Sequence, residues 1–297
     1  MDITEFNGIG SVMKEQREKL GFSQEQVCHG ICSVATFCRM ECGERVKDSL
    51  TLQFLLDRLL IRRNQQEILC QKKDYVLQRR RKEIEQCMEC KNYKKAWSKI
   101  EIYDKKYGKE KAGEEELHRQ YVLIRKGILS RKPELLLEAL NITAGDIRKR
   151  VEEKLPIGNE ELYCLVELIH ARRQDESREY EAVYEVYRWQ IEKEKTILPS
   201  YFLFMEYYAE ILLIEKKYEE CLKICNEAIA EITKNNAVRN RCELFFLRGT
   251  CKKRMGERRK KYLRDYYTAY YICKNFGQGS TLKKIEESIR REENASL

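Results

Sequence analysis

The feature that most constrains this chain of 297 residues is a pair of short helix signatures around a glycine near the N-terminus. Ser23 and Gln26 have the spacing of a capping box, which predicts that a helix starts there. Gly30 permits a sharp turn, because glycine adopts a positive φ at little cost. Ser33 can cap a second helix, and Gly43 is typical of a helix end. The pattern predicts two helices joined by a tight turn, a geometry that places a helix in the DNA major groove.

The second helix is predicted to present one face outward, with Phe37 and Met40 on the inward face. In such a motif, residues at the start of the second helix contact base edges, while cap residues and following cations lie near phosphates. We therefore expect eight residues to bind DNA. They are Gln24, Ser33, Val34, Ala35, Thr36, Arg39, Arg45 and Lys47.

The same segment resembles the helix-turn-helix of phage-repressor-like, XRE-type regulators. The matching residues are Arg17, Gly21, Phe22, Ser23-Gln24-Glu25, Val27, Ile31, Arg39-Met40-Glu41 and Gly43. The turn Gly30-Ile31-Cys32-Ser33 is similar to that of peptide-pheromone-sensing regulators of Gram-positive bacteria, the Rgg/PlcR type. The resemblance implies a partly buried ion pair between Arg17 and Glu41. The alternative interpretation is an ordinary amphipathic helix.

Composition favours an almost wholly helical protein with two domains or one long repeat array. The chain contains only 3 Pro and 14 Gly, and 36% of its residues are charged. The sequence has no run of about 18 apolar residues, so it predicts no membrane span. The N-terminus also lacks the pattern of a signal peptide. We therefore expect a cytoplasmic protein.

The 13 cysteines are spread along the chain. Several occupy apolar helix positions, where they act as small hydrophobic residues, and this favours a reducing compartment over a disulfide scaffold. Four of them fall within the predicted helix-turn-helix, but their arrangement is not that of a structural zinc site. They are Cys28, Cys32, Cys38 and Cys42. We predict no metal site and no cofactor.

The net charge of +9 is unevenly distributed. Residues 1–61 carry 7 basic and 9 acidic residues, a net charge of −2, which is unexpected for a DNA-binding segment because phosphate contacts supply much of the affinity. Residues 62–82 carry 8 basic and 2 acidic residues. This second run either attracts DNA without sequence preference or is a solvated helix face, and the sequence supports both interpretations. For the basic run at 252–264 we favour a solvated helix face, or a contact with an anionic peptide end, over DNA.

From about residue 66 onward the pattern predicts paired helices, including helices over 93–107 and 133–143. Ala209, Cys221 and Ala228 are small residues at relative positions 0, 12 and 19. Tetratricopeptide (TPR) helices need small side chains at this spacing in order to pack closely. The intervals between pairs are irregular, so these are degenerate repeats.

We therefore predict an all-α fold with an N-terminal helix-turn-helix DNA-binding domain over residues 1–62. A TPR-like α-solenoid follows over residues 63–297. This order of elements resembles the Rgg/PlcR-like (RRNPP) regulators across the full length. The resemblance implies a short signalling peptide bound in a concave groove of the repeats, and a homodimer.

A peptide groove needs polar side chains as well as apolar surface, and tyrosine combines both. We expect the groove to be lined by helices between about residues 159 and 250. Six candidates for peptide binding follow from this placement. They are Arg172, Tyr201, Tyr208, Asn236, Asn240 and Arg248.

The predicted function is a sequence-specific transcriptional regulator that binds a double-stranded DNA operator under the control of a short peptide. The alternative is an XRE-type regulator whose repeats dock a protein partner instead. The sequence shows no Gly-rich phosphate loop, no His-Glu zinc motif and no Gly-x-Ser-x-Gly elbow, so we predict that it is not an enzyme.

Overall fold

The computed structural model describes residues 9–44, 49–61, 72–107, 114–172, 177–194, 197–234, 241–276 and 279–294. These residues form sixteen α-helices and no strand, which confirms the predicted all-α class. The helices are α1 (Ile9–Leu20), α2 (Gln24–Cys28), α3 (Val34–Glu41), α4 (Ser49–Arg58), α5 (Lys72–Glu89), α6 (Tyr93–Tyr107), α7 (Glu114–Ser130), α8 (Pro133–Thr143), α9 (Ile147–Glu152), α10 (Asn159–Arg172), α11 (Ser177–Glu194), α12 (Ser200–Ile214), α13 (Tyr218–Lys234), α14 (Cys242–Arg254), α15 (Arg259–Phe276) and α16 (Gly279–Asn294).

The chain divides into two compact units. Unit 1 comprises residues 1–88, 93–174 and 181–200, and unit 2 comprises residues 89–92, 175–180 and 201–297. The helix-turn-helix segment and the helices that follow it up to α10 share unit 1. This division by contacts differs from the predicted domains, whose boundary at residue 62 stays a prediction.

Helices α1 to α4 form the head of unit 1 around one apolar core. Met13, Val27, Phe37 and Leu55 are completely buried in it. Gly10 lets α1 cross α3 closely, since a Cβ atom at this position would lie 2.0 Å from the Met40 carbonyl oxygen. The apolar face predicted for the second helix of the motif therefore packs inward as expected.

The rest of unit 1 is built from helices that pack against their neighbours in the sequence. Helix α7 contacts α6 and α8, and α8 contacts α10. Pro133 occupies the first turn of α8, where its missing N–H leaves no intrahelical bond unmade. The observed bounds of α6 and α8 are those predicted. Helix α4 of the head packs against α7 and α10, so the head is joined to the array within this unit.

Unit 2 shows the small-residue packing predicted for TPR-like repeats. Ala209, Cys221 and Ala228 have no exposed surface, and the Cys221 thiol donates to the Ala209 carbonyl at 3.3 Å. One disulfide was not predicted from the sequence, since Cys242 and Cys273 are joined between α14 and α15. Both are wholly buried where these helices touch, and a pairing 31 residues apart leaves no local signal in the sequence.

Candidate DNA-binding head and ligand-facing residues

The predicted caps position both helices of the motif. The Ser23 hydroxyl accepts from the Gln26 amide at 3.1 Å, and the Ser23 amide donates to the Gln26 side chain at 2.8 Å, which completes the capping box. Gly30 has a φ of +71° in the turn. Ser33 then caps α3 by accepting from the Thr36 amide at 3.1 Å. The local signals of the sequence are thus confirmed as a helix-turn-helix.

Helix α3 presents most of the predicted base-contacting residues to solvent. Val34 is 43% exposed, Ala35 is exposed, and 61% of the Arg39 side chain is accessible. Thr36 is half-buried, and its hydroxyl lies 2.8 Å from that of Ser33. This face can therefore meet a groove while the opposite face of the helix holds it on the head.

Of the four other residues predicted to contact DNA, the structure describes two, and these two differ in exposure. The Gln24 side chain is half-buried and donates to Glu41 Oε2 at 2.7 Å, so one of its donors is already engaged. Ser33 is exposed at the start of α3, where a phosphate can approach it. Arg45 and Lys47 lie outside the described residues.

The ion pair expected between Arg17 and Glu41 is confirmed. Arg17 Nε donates to Glu41 Oε1 at 2.7 Å and Arg17 Nη2 donates to Oε2 at 3.1 Å, a two-point contact. The side chains are 12% and 2% exposed. The hydrogen bond to Glu41 raises the pKa of Arg17. The pair ties α1 to the end of α3 and so fixes this helix on the head.

A second cation, Arg58 at the end of α4, joins the head to the array and was not singled out by the sequence. Its Nη1 donates to the carbonyl oxygens of Val27 and His29, both at 2.7 Å. Its Nη2 donates to the Thr143 carbonyl at 3.0 Å and to Glu161 Oε1 at 2.5 Å. One guanidinium therefore holds the ends of α2 and α8 and a carboxylate of α10.

The Glu161 carboxylate is the counter-ion of this contact. Burial alone would raise the pKa of Glu161, but the Arg58 guanidinium and the Gly158 amide hold it below its usual range. The Gly158 amide donates to Glu161 Oε2 at 2.8 Å. The only hint in the sequence is a charged Asp57-Arg58 pair inside an otherwise apolar helix, a signal that names neither partner.

The turn of the motif also rests directly on the array. A Cβ atom at Gly30 would lie 2.6 Å from the Thr143 carbonyl oxygen, and His29 Nδ1 lies 3.4 Å from the same oxygen. Phe22 and Trp189 of α11 make a ring contact with centroids 6.0 Å apart. The segment that sets the angle between α2 and α3 is thus in contact with later parts of unit 1.

The two tyrosines predicted to line a peptide groove are buried in unit 2. Tyr201 has no exposed surface, and its hydroxyl donates to Glu227 at 3.1 Å. Tyr208 is 4% exposed and stacks on Tyr180 with centroids 5.8 Å apart. Their side chains are committed to packing between helices, so neither presents its ring to a ligand in this structure.

Of the four other residues predicted to bind a peptide, the structure describes two arginines, one in an ion pair and one exposed. Arg248 makes a two-point contact with Asp265, at 3.0 Å from Nε and 2.5 Å from Nη2, and 18% of its side chain is exposed. Arg172 is exposed at the end of α10. Asn236 and Asn240 lie outside the described residues.

Unit 2 contains a polar cluster that the sequence did not indicate. Arg241 lies 5.0 Å from the ring centroid of Phe202, and its Nε is buried without a hydrogen-bond partner. Glu206 keeps partial exposure, yet burial and the nearby charge of Glu243 raise its pKa to about 8. Lys91 donates to Glu243 at 3.0 Å. The cluster thus offers an uncommitted guanidinium N–H and a carboxyl group that is neutral near pH 7.

Neither a membrane-spanning helix nor a metal site occurs in the part of the chain that the structure describes. Among the residues that the structure describes, no helix is long and apolar enough to span a membrane. Within the same part of the chain, no group of three or more His, Cys, Asp or Glu side chains could hold a metal ion.

Comparison with known proteins finds similarity at the level of structure. No protein-family model matches the chain, and no curated protein matches it. Bacillus thuringiensis PlcR, solved in complex with the peptide PapR7 and DNA, aligns over 94% of this chain and 99% of its own, with 18% identity and a TM-score of 0.55. ComR from S. thermophilus, solved with DNA and its signalling peptide ComS, aligns over 96% and 99%, with 18% identity and a TM-score of 0.52.

A third structure extends this pattern. ComR from Streptococcus vestibularis, in complex with its cognate signalling peptide XIP, aligns over 97% of this chain and 98% of its own, with 19% identity and a TM-score of 0.52. Because these three structures are only 18–19% identical to this chain, the similarity shows a shared fold. Together with the helices described above, it shows that this chain has the fold of PlcR and ComR, a helix-turn-helix head followed by TPR-like helices.

Proposed function

We propose that this protein is a sequence-specific DNA-binding transcriptional regulator controlled by a short peptide. The observation that carries the proposal is the capped helix α3, whose outer face is exposed while its inner face packs on the core of the head. PlcR and ComR, which share the fold over nearly the whole chain, are solved with DNA and with signalling peptides.

DNA reading by α3 is supported by its chemistry. Val34 and Ala35 are apolar and suit contact with thymine methyl groups, while Arg39 can reach a guanine edge. Ser33 is exposed at the N-terminus of α3, and the N-terminus of a helix favours the approach of a phosphate. The net negative charge of residues 1–61 implies that such directed contacts matter more here than bulk attraction.

Peptide binding is proposed for the repeats, with the polar cluster of unit 2 as a contact region. An extended peptide needs partners for its own backbone donors and acceptors. The buried, unpartnered Nε of Arg241 can donate to a peptide carbonyl or carboxylate, and neutral Glu206 can both donate and accept. Arg172, Asn236 and Asn240 remain proposed contacts. We do not assign one to Tyr201, Tyr208 or Arg248, because their side chains are engaged elsewhere.

The proposal includes a homodimer that binds a pseudo-palindromic operator. A single head covers only a few base pairs, and a two-fold dimer places two reading helices in successive major grooves. Because an operator is reached in the cytoplasm, the proposal also places the protein there.

DNA binding is tested by letting the full-length protein select duplexes from a randomised library. We expect half-sites about one helical turn apart, or a multiple of that. Arg39→Ala should lose about 1–3 kcal/mol of discrimination at one base position. Arg178→Ala, which removes an exposed arginine of α11, is the matched control. If no sequence is enriched, the DNA-binding proposal is wrong.

Peptide control is tested by calorimetry with synthetic peptides encoded by short reading frames beside the gene. We expect one of them to bind, and we expect Arg241→Ala and Asn236→Ala to weaken it while Arg290→Ala, on the exposed face of α16, does not. Binding that none of these substitutions weakens contradicts the assigned contacts. Absence of binding by all the peptides contradicts peptide control and favours a docked protein partner.

A further inference from the structure

A disulfide joins the two helices of the α14–α15 hairpin at the end where the chain does not connect them. Cys242 is the first residue of α14, and Cys273 lies in the last turn of α15, with Cα atoms 5.9 Å apart. This separation is within the range that a disulfide requires. At the opposite end, residues 255–258 connect the helices. Without the bond, one end of the hairpin would be held by packing alone.

The geometry distinguishes this pair from the other cysteines that the structure describes. Those ten are free thiols, and they include Cys251, which is equally buried in the same helix α14. Cys242 and Cys273 are 31 residues apart, so their contact results from the packing of α14 on α15 and not from spacing along one helix. The pair is therefore specified by the tertiary fold.

The bond is shielded from solvent but lies at helix ends. Neither cysteine has exposed surface, and Ile285 and Ile289 of α16 belong to the same apolar cluster. A reagent can reach the sulfur atoms only through local opening. Helix ends open at a lower free energy than helix centres, and both cysteines are in terminal turns. The position therefore allows slow access without unfolding of the whole unit.

The sulfur of Cys242 also lies next to a carboxylate of the polar cluster in unit 2. It is 3.1 Å from Glu243 Oε2. The other oxygen of this carboxylate accepts from Lys91 Nζ at 3.0 Å and from Thr281 Oγ1 at 2.9 Å. A disulfide sulfur has no proton to donate, whereas a thiol has one. The oxidation state of Cys242 therefore decides whether Glu243 has this further donor.

We propose that Cys242 and Cys273 are a reversible thiol–disulfide site whose reduction releases the start of α14, where the polar cluster of unit 2 lies. Disulfides of cytosolic proteins are usually transient and act in catalysis or redox sensing. The cytoplasm enters this argument through the proposed function. The bond and its contacts do not depend on that proposal.

The reaction is an exchange with a dithiol of low molecular weight. A thiolate of the reductant attacks one sulfur, the S–S bond breaks, and the other cysteine leaves as a thiolate that takes up a proton. The second thiol of the reductant attacks the mixed disulfide and releases the remaining cysteine. The protein gains two hydrogens, and the reductant loses two as it becomes a cyclic disulfide. The oxidised dithiol restores the protein disulfide by the reverse steps.

Reduction is expected to act on the residue that precedes the bond. Arg241 comes directly before Cys242, and its unpartnered Nε is the donor proposed to meet a peptide. While the bond is intact, the backbone here is tied to α15, so less conformational freedom is lost when a ligand binds. We therefore expect the reduced protein to bind the peptide severalfold more weakly. This consequence rests on the proposed function.

The chemistry is tested on the full-length protein without DNA or peptide. The native protein is equilibrated with mixtures of reduced and oxidised dithiothreitol, blocked with N-ethylmaleimide in denaturant, and digested with trypsin. The peptides 242–248 and 265–274 each contain one cysteine. We expect them to be linked in oxidising mixtures and to carry one maleimide each in reducing mixtures. Cys251, in peptide 249–252, is the control and should carry a maleimide in every mixture.

Two results of this measurement overturn the proposal. The first is a maleimide on both cysteines in every mixture, because then no disulfide forms. The second is a linked pair that persists in reduced dithiothreitol until the protein is unfolded, because such a bond is permanent. Cys242→Ser and Cys273→Ser should each abolish the linked pair.

Hydrogen exchange followed by mass spectrometry tests the release of α14. We expect amides of residues 242–248 to exchange severalfold faster in the reduced protein, and amides of residues 249–254, next to the chain connection, to exchange at the same rate. Equal rates for residues 242–248 in both states overturn the release. The same acceleration throughout α14 also overturns it, because this would indicate a general loss of stability.

Peptide affinity is measured by calorimetry in oxidising and reducing buffer. Cys273→Ser should bind like the reduced protein in both buffers, whereas Cys90→Ser, which changes an exposed cysteine, should behave like the wild type. Equal affinity of the oxidised and reduced wild type overturns the effect on peptide binding. If no peptide binds, the proposed function fails, and the linked peptides and hydrogen exchange still decide the site.

Discussion

Arg58 and Glu161 form an ion pair in which neither side chain has any exposed surface, although 103 residues separate them in the chain. Two charges in the interior are stable only when they are matched and their hydrogen bonds are made. Arg58 fulfils this condition with three backbone carbonyl oxygens and one carboxylate. The contact therefore links the end of the head to α8 and α10 at a single point.

Removing this cation should strongly destabilise the protein. We expect Arg58→Ala to lower the free energy of unfolding by about 3–5 kcal/mol, because the Glu161 charge is left buried without its partner. Arg188→Ala is the control, since Arg188 pairs with Glu192 in the solvent, with side chains 48% and 68% exposed, and should change stability by less than about 1 kcal/mol. Denaturant titration measures both. Similar losses for the two variants would contradict the role given to Arg58.

The turn at Gly30 should not accept a side chain. Gly30→Ala introduces both an unfavourable positive φ and a clash with Thr143. Gly21→Ala introduces only the first, because its φ is +75° and no atom lies within 4 Å of the added Cβ. We expect each to lose about 1–3 kcal/mol from backbone strain, and Gly30→Ala to lose about 1–3 kcal/mol more from the clash. Equal thermal midpoints would show that the turn can move away from α8.

The pair between Arg17 and Glu41 can be compared with a weaker contact of the same arginine. Glu41→Ala should lower stability by about 3 kcal/mol, because it removes the buried carboxylate that accepts hydrogen bonds from both Arg17 and Gln24. Glu18 lies 3.5 Å from Arg17 but is 57% exposed, so Glu18→Ala should change stability by no more than about 0.5 kcal/mol. Chemical denaturation of the two variants measures the difference. A Glu41→Ala protein as stable as the wild type would contradict the importance of this buried pair.

Glu206 should make the protein less stable as the pH rises. Its pKa is raised from 4.5 to about 8 in the folded protein, so the folded state holds a proton that the unfolded state releases between these values. Stability from this group is present at low pH and is lost as the pH rises toward 8. Glu206→Gln removes the effect.

The midpoint of thermal unfolding is the measurement for Glu206. The midpoint of Glu206→Gln minus that of the wild type should grow between about pH 5 and about pH 8. Glu219→Gln, at an exposed position of α13, should show a constant difference. A Glu206→Gln difference that does not change with pH would show that Glu206 is charged throughout this range.

The parts of the fold that could be predicted from the sequence depend on residues close together in the chain. Ser23 with Gln26, and Ser33 with Thr36, satisfy backbone groups within one turn, so their spacing alone determines where helices start. The buried small residues of unit 2 also follow from spacing. The Arg17–Glu41 pair was inferred from a resemblance to a known motif, since its 24-residue separation has no local signature.

The contacts that could not be predicted connect distant residues. No sequence pattern around Arg58 indicates that Glu161 is its partner, because each residue could equally be a solvent-exposed charged residue on its helix. Tyr201 and Tyr208 could not be placed for a related reason. Tyrosine suits both a ligand surface and a core, and the choice depends on Tyr180 and Glu227, which pack from other helices.

The long separation between Arg58 and its counter-ion also bears on how the chain is made. The ribosome produces the head first, so the guanidinium exists for the time needed to synthesise 103 further residues before its carboxylate partner appears. During that interval Arg58 has no partner carboxylate, and the turn at Gly30 lacks Thr143 until 85 of those residues have been added. A polypeptide that ends before Glu161 therefore keeps the pair between Arg17 and Glu41 but lacks the counter-ion of Arg58.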